Sequence, residues 1–262
     1  MVPNSLLEER HLQRRLKRSN RANPREDRNI FDNKNVRNNI IELEQFTKHL
    51  KQKVELIPKN LSQETYIEKL EDPNINIVFA IGPAGTGKSY LGTLYAIQCL
   101  KNGSVSKIVI TRPNISLDDK DIGFLPGDIF AKMAPWTRPI LEIFEEFYST
   151  KQIATMLENN VIELLPMAFI RGRTLKNSII LLDEAQNTTK LSMVSALTRI
   201  GENSKMIVTG DTKQSDRGTS NGLTDFLQRY KPNKRVAVVE FQQQDVERHP
   251  VINTILDWYG EN

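Results

Sequence analysis

The chain has 262 residues, of which 39% are hydrophobic and 26% charged, and a formal net charge of +4. That length allows one large domain or two small ones with a sizeable core. No apolar run approaches the roughly eighteen residues of a membrane span, and the N-terminus lacks the apolar stretch of a secretory signal, so a cytoplasmic location and no membrane association are expected.

Residues 1–39 carry ten Lys/Arg against five Asp/Glu, which leaves the remainder close to neutral. The segment is polar and asparagine-rich with no sustained apolar period, so it reads as a basic, flexible N-terminal arm. Arg14, Arg15, Lys17, Arg18 and Arg21 could follow phosphates, or the arm is simply a solvated tail. The folded domain is expected over residues 40–262. Helical spacing of Ile40, Leu43, Phe46 and Leu50 leads to a second short helix over Gln63–Leu70. Six apolar, β-branched runs then follow: Ile75–Ile81, Lys107–Thr111, Val161–Leu165, Ser178–Leu182, Met206–Thr209 and Val236–Phe241. Helical periods over Lys88–Lys101, Thr188–Ile200 and Gly222–Tyr230 separate some of them. Such alternation predicts an α/β fold with one mainly parallel sheet flanked by helices in three layers. Cys99, the single cysteine, excludes an internal disulfide and sits in the apolar pattern of a helix as a core thiol.

The first chemical signal lies between the first strand and the helix after it. Gly82-Pro83-Ala84-Gly85-Thr86-Gly87-Lys88-Ser89 matches the P-loop pattern in full and stands in the strand-to-helix context that pattern requires. Its glycines let backbone N–H groups approach phosphates, Lys88 supplies a point charge and Ser89 a hydroxyl for Mg2+. Ser178-Ile-Ile-Leu-Leu-Asp183-Glu184 ends a buried strand in two carboxylates, at the sheet edge where α/β folds bind ligands. Asp183 is expected to hold Mg2+ and Glu184 to activate the attacking water. Gln214, after the Met206–Thr209 strand, is expected to sense the γ-phosphate, with Gln186 coupling it to Glu184. Thr212-Lys213-Gln214-Ser215 has serine where a guanine-reading element needs aspartate, so ATP is favoured over GTP. Gln63 could read adenine by a bidentate amide contact.

These stretches, with TRPNISLDDKDIGFLPGD (111–128), MAFIRGRTLKNSIILLDEAQNTT (167–189), LTRIGENSKMIVTGDTKQSD (197–216) and DVERHP (245–250), resemble the PhoH family of P-loop ATPases over roughly residues 54–259. The resemblance implies the RecA-like core of a superfamily 1 helicase motor domain. It also implies nucleotide contacts from Gly82, Pro83, Ala84, Gly85, Thr86, Gly87, Lys88, Ser89 and Tyr90, an adenine-reading Gln63, and catalytic roles for Lys88, Glu184 and Gln214. The arm lies outside it. The loop after Gln214 is shorter than the usual family form and Lys213 replaces an uncharged residue. No PIN-type nuclease domain accompanies the motifs, so nuclease activity is not implied.

Motors of that kind close their site with an arginine from a second domain, for which this chain has no room. An arginine supplied in trans by a neighbouring copy predicts a homo-oligomer, with a hexameric ring favoured. Arg171, Arg173, Arg199, Arg217 and Arg248 are the candidates. In the polar segment 112–128, Arg112, Lys120 and also Lys132 beyond it are candidate contacts to single-stranded RNA or DNA, although the same segment suits packing against a neighbour. The expected function is Mg2+-dependent ATP hydrolysis coupled to nucleic-acid binding or remodelling. The alternative is an ATP-sensing switch or assembly factor acting on a protein, and a kinase would need an acceptor pocket that no motif supplies.

Overall fold

The computed structural model describes residues 53–113, 129–216, 218, 220–247, 251 and 258, with 129–135 described by backbone alone. The expected basic arm, the helix around Ile40–Leu50, the GFLPGD stretch with Lys120, the side chain of Lys132, and Arg217 and Arg248 lie outside these residues. In chain order the described elements are α1 (Leu61–Glu71), β1 (Ile77–Ile81), α2 (Lys88–Lys101), β2 (Lys107–Thr111), α3 (Ile129–Glu145) and α4 (Thr150–Glu158). They continue with β3 (Ile162–Leu164), β4 (Ser178–Leu182), α5 (Lys190–Leu197), β5 (Lys205–Gly210), α6 (Gly222–Arg229) and β6 (Val236–Glu240).

The strands form one sheet in the order β3-β2-β4-β5-β1-β6, and every pairing is parallel. Parallel neighbours need crossovers, and the crossover helices cover both faces, which is why the strand sequences are apolar on both sides. In β1, Val78 and Ala80 face one core with Tyr66 of α1, Ile97 of α2, Phe144 of α3 and Ile153 of α4. Phe79 and Ile81 face the other with Met193 and Ala196 of α5 and Leu223 of α6. Phe79 is fully buried and stacks on Phe226 at 4.1 Å between centroids. Each such side chain contributes about 1.5–3 kcal/mol by leaving water. This is the three-layer α/β architecture expected from the alternation of elements, and Cys99 is buried in it as expected.

Helix starts follow from local chemistry. Asn60 accepts the Gln63 N–H at 2.9 Å to begin α1, and Asn221 accepts the Thr224 N–H at 2.9 Å to begin α6. Ser149 with Gln152, and Thr189 with Ser192, close reciprocal capping boxes on α4 and α5. α5 is therefore shorter at both ends than the expected Thr188–Ile200, because Thr189 is its cap and Thr198 closes it. Helices α3 and α4 were not singled out from the sequence. α3 contains Pro135 and Pro139, which read as helix breakers, yet the chain runs helically through both.

Lys205, the first residue of β5, is 8% exposed, and its Nζ donates to the carbonyls of Leu70 and Asp72 at the end of α1. A cation there completes carbonyls that the helix leaves unpaired. Burial nevertheless pulls the ammonium down from the usual 10.5 to about 8. Between those values the unfolded chain keeps a proton that the folded chain has released, so stability should rise with pH across that window, by about 3 kcal/mol at most. Urea unfolding of the protein and of Lys205→Met at pH 7.5 to 10 checks this. The substitution should flatten the rise, and parallel curves for the two proteins would refute it.

Candidate functional site

The parallel register sets three chain segments at one height. Ile81, the last residue of β1, pairs with Gly210 of β5, and Leu182 of β4 pairs with Val208 of β5. The loop after β1, the carboxylates after β4 and the end of β5 therefore leave the sheet together at its carboxyl edge. A cleft there is lined by Ala84, Gly85, Gly87, Lys88, Ser89 and Tyr90 from the first segment. Asp183, Glu184 and Gln186 line it from the second, and Thr209, Gly210, Asp211 and Gln214 from the third.

Gly82 leaves β1 with φ 144°, where an added Cβ would stand 2.3 Å from the Phe241 carbonyl oxygen. Gly85 and Gly87 have φ 86° and 81°, left-handed values that side chains resist. Among the described residues, the N–H groups of Ala84, Gly85, Thr86 and Gly87 donate to no protein acceptor. Helix α2 begins directly after them with no side-chain cap. Consecutive unpaired donors at an uncapped helix start form an anion cradle. Lys88 is 8% exposed, and its Nζ donates to the Pro83 carbonyl at 2.5 Å and the Thr86 hydroxyl at 3.1 Å, on the loop's own inner side.

Opposite the cradle, one oxygen of Asp183 accepts hydrogen bonds from Ser89 Oγ at 2.8 Å and Thr209 Oγ1 at 2.5 Å. The Asp183 N–H donates to the Thr111 carbonyl at 3.1 Å, which ties it to β2 as well. A hydroxyl and a carboxylate side by side are hard oxygen donors that suit Mg2+, which takes few protein ligands and completes its shell with water and phosphate. Among the described residues no cluster of three or more His, Cys, Asp or Glu exists to hold a metal in an all-protein cage.

Glu184 is held in the left-handed region at φ 55°, ψ 42°, ahead of a 3-10 turn over Ala185–Asn187. For a non-glycine residue this costs on the order of 1–3 kcal/mol, and such positions concentrate at functional sites. Both carboxylate oxygens are engaged: Gln186 Nε2 donates to Oε2 at 2.5 Å, and Arg112 Nη2 lies 3.3 Å from Oε1. Gln186 also accepts the Asp211 N–H on Oε1 at 3.1 Å, and its Nε2 reaches the Gln214 carbonyl at 3.5 Å. Asn221, fully buried, donates to Ser215 and to the Gly218 carbonyl, and so fixes the loop that carries Gln214.

The structure thus brings the cradle, Ser89, Asp183, Glu184, Gln186 and Gln214 into one cleft, with Tyr90 at its wall donating to Glu146 at 3.1 Å. Gln63 is placed differently. It is 4% exposed and does not line the cleft; its Oε1 accepts the Lys59 N–H at 2.8 Å and its Nε2 donates to the Thr86 carbonyl at 3.2 Å, so it buttresses the cradle from behind. Of the arginines, Arg173 is paired through both Nη atoms with Glu163. Arg199 donates to the Arg173 carbonyl at 3.4 Å and to Thr198 at 3.2 Å. Arg171 is exposed and has no such partner among the described residues. Arg112 turns inward to Glu184. Thr209 was missed from the sequence; the signal was there, since aligning the ends of the β4 and β5 runs puts a lone hydroxyl beside Asp183.

The sequence matches the family described as PhoH-like protein over residues 55–260. A PhoH-like protein of Bacillus subtilis (strain 168) is 39% identical over 220 residues, covering 83% of this chain and 68% of its own length. A PhoH-like protein of Synechocystis sp. is 39% identical over 203 residues, covering 77% and 61%, and Protein PhoH of Escherichia coli (strain K12) is 37% identical over 209 residues, covering 78% and 58%. The chain therefore spans 58 to 68% of the length of these three relatives. Among solved structures, AMPPCP-bound DnaA from Aquifex aeolicus is 14% identical, with 81% of this chain and 56% of that one covered and a TM-score of 0.34. The Pif1 helicase from Candida albicans is 12% identical, with 77% and 44% covered and a TM-score of 0.35. Likenesses that loose carry no argument here.

Gly82 gives the site its sharpest steric test. An alanine would collide with main chain rather than a movable side chain, so Gly82→Ala should cost about 3 kcal/mol of unfolding free energy and shift the urea midpoint accordingly. A midpoint within error of the parent would show that the close approach of β1 and Phe241 is not required.

Proposed function

The chain belongs to the PhoH-like family, and from that premise we propose that it is a Mg2+-dependent ATPase whose cleft at the carboxyl edge of the sheet binds the nucleotide phosphates. The observation that carries the reading is the convergence of unpaired loop N–H donors, Lys88, the Ser89–Asp183 hydroxyl–carboxylate pair and Glu184 on one sheet edge. The cradle takes the β- and γ-phosphates, and Lys88 swings from the Pro83 carbonyl to phosphate oxygens. Mg2+ held by Ser89 and Asp183 would neutralise phosphate charge. Glu184 orients the attacking water and accepts its proton, while Gln186 and Gln214 report the state of the phosphate to the loop behind them.

The reading extends to coupling of this cycle to single-stranded RNA or DNA in a homo-oligomeric ring, hexameric by preference, in which a neighbouring copy supplies an arginine in trans. Among the described candidates for the trans arginine, Arg171 fits best. Arg173 is spent on Glu163 and Arg199 on the Arg173 carbonyl and Thr198, whereas Arg171 is exposed and carries no partner among the described residues. Gln63, held behind the cradle, suits a role in setting the position of Thr86 and the loop with adenine read at its edge. A switch that binds ATP and acts on a protein shares the same site and differs in turnover.

Steady-state hydrolysis across a protein concentration series, with and without single strands, separates the readings. The expected result is turnover that rises with assembly and with strands, is lost about 100-fold or more in Glu184→Gln with nucleotide retained, and falls in Lys88→Ala through weakened binding. Equal loss of binding in both variants would remove Glu184 from the catalytic role. Activity indifferent to concentration and to strands would remove the ring and its track.

A further inference from the structure

Arg112 follows the last residue of β2 and is the one side chain of the described residues that ion-pairs with the Glu184 carboxylate. Its side chain is 20% exposed and that of Glu184 36%, so the pair is partly shielded from water and salt. The guanidinium also reaches away from the cleft, where Nη1 donates to the Trp136 carbonyl at 2.9 Å. That carbonyl belongs to α3, three residues before Pro139. The Nε of Arg112 is buried without a partner, a cost that the two Nη contacts must offset. One guanidinium therefore joins the middle of α3 to the carboxylate that the proposed reaction uses as its base.

Resting on the ATPase reading above, we infer that Arg112 is the positioning residue for Glu184, acting through that carboxylate rather than on a nucleic-acid strand. Glu184 needs such a residue. Its backbone is left-handed and its side chain is 36% exposed, so neither packing nor regular structure fixes the carboxylate. Arg112 on Oε1 and Gln186 on Oε2 hold it from two sides. Each carboxylate oxygen keeps a lone pair, so the clamp leaves an acceptor for the water proton. Because the clamp's outer arm is anchored on α3, any shift of that helix moves the carboxylate.

The test is a double-mutant cycle on purified full-length protein. It uses the parent, Arg112→Ala, Arg112→Lys, Glu184→Gln and the double variant Arg112→Ala/Glu184→Gln. Turnover, KM for Mg-ATP, and affinity for a fluorescent single strand are measured for each. Arg112→Ala should lower kcat about 10- to 100-fold with KM and strand affinity within about threefold of the parent, and Arg112→Lys should fall between the two. The double variant should be no slower than Glu184→Gln alone. Undiminished or raised kcat in Arg112→Ala, or a further loss in the double variant, would overturn the inference while leaving the ATPase reading intact. A drop in strand affinity with kcat preserved would return Arg112 to the nucleic-acid role. Should Arg112→Ala not fold, Arg112→Lys carries the same decision, since it cannot bridge Glu184 and Trp136 together and must still lower kcat at constant KM. A parent no faster than Glu184→Gln would sink the ATPase reading and this inference with it.

Discussion

Two hydroxyls meeting on one oxygen of Asp183 hold the site together. Ser89 lies in the first turn of α2, Thr209 is the penultimate residue of β5 and Asp183 follows β4, so the two hydrogen bonds link three segments that are far apart in sequence. They can meet only because β1, β5 and β4 are parallel and in a register that ends them at the same height. A one-residue slip of β5 would send Thr209 to the opposite face and exchange the two cores, since alternate residues of each strand serve different layers. The apolar content of the strands thus has a chemical consequence: it fixes register, and register assembles the carboxylate, the hydroxyls and the phosphate cradle.

From that junction two supports run outward. On one side Gln63 holds the Thr86 carbonyl, so α1 braces the loop that carries the unpaired N–H donors. On the other, Gln186 and Arg112 hold Glu184, and through them the carboxylate is tied to the Gln214 loop and to α3. The site therefore sits where every crossover on its edge has a stake in its geometry. In the proposed reading these contacts are what would couple binding at the cradle to the surrounding elements, with a strained residue, Glu184, at the centre.

Much of this was legible in the sequence, for physical reasons that differ by element. The strands were readable because both-face burial demands unbroken apolar, β-branched runs, and Ile77–Ile81 and Ser178–Leu182 show it plainly. The cradle was readable because only glycine satisfies its left-handed turns. Helix α3 was not, because Pro135 and Pro139 imitate a helix end when tertiary packing of Ile140 and Phe144 carries the helix through. Arg112 was legible only as a charge beside a loop; its direction depends on Trp136 and Glu184, 24 and 72 positions away, and no local pattern records that. Gln63 was singled out as an adenine reader; that its amide holds the Thr86 carbonyl is a matter of helix docking and not of motif spacing, so the sequence did not record it.

In the proposed reading, Asp183, Ser89 and the loop donors form one magnesium–nucleotide site. Calorimetric titration with a non-hydrolysable ATP analogue, with and without Mg2+, on the parent and on Asp183→Asn, addresses it without requiring turnover. Tight binding that weakens at least tenfold when Mg2+ is withdrawn, with Asp183→Asn losing most of that dependence, is the predicted result. No binding at millimolar analogue, or an affinity that ignores both Mg2+ and Asp183, would contradict the account.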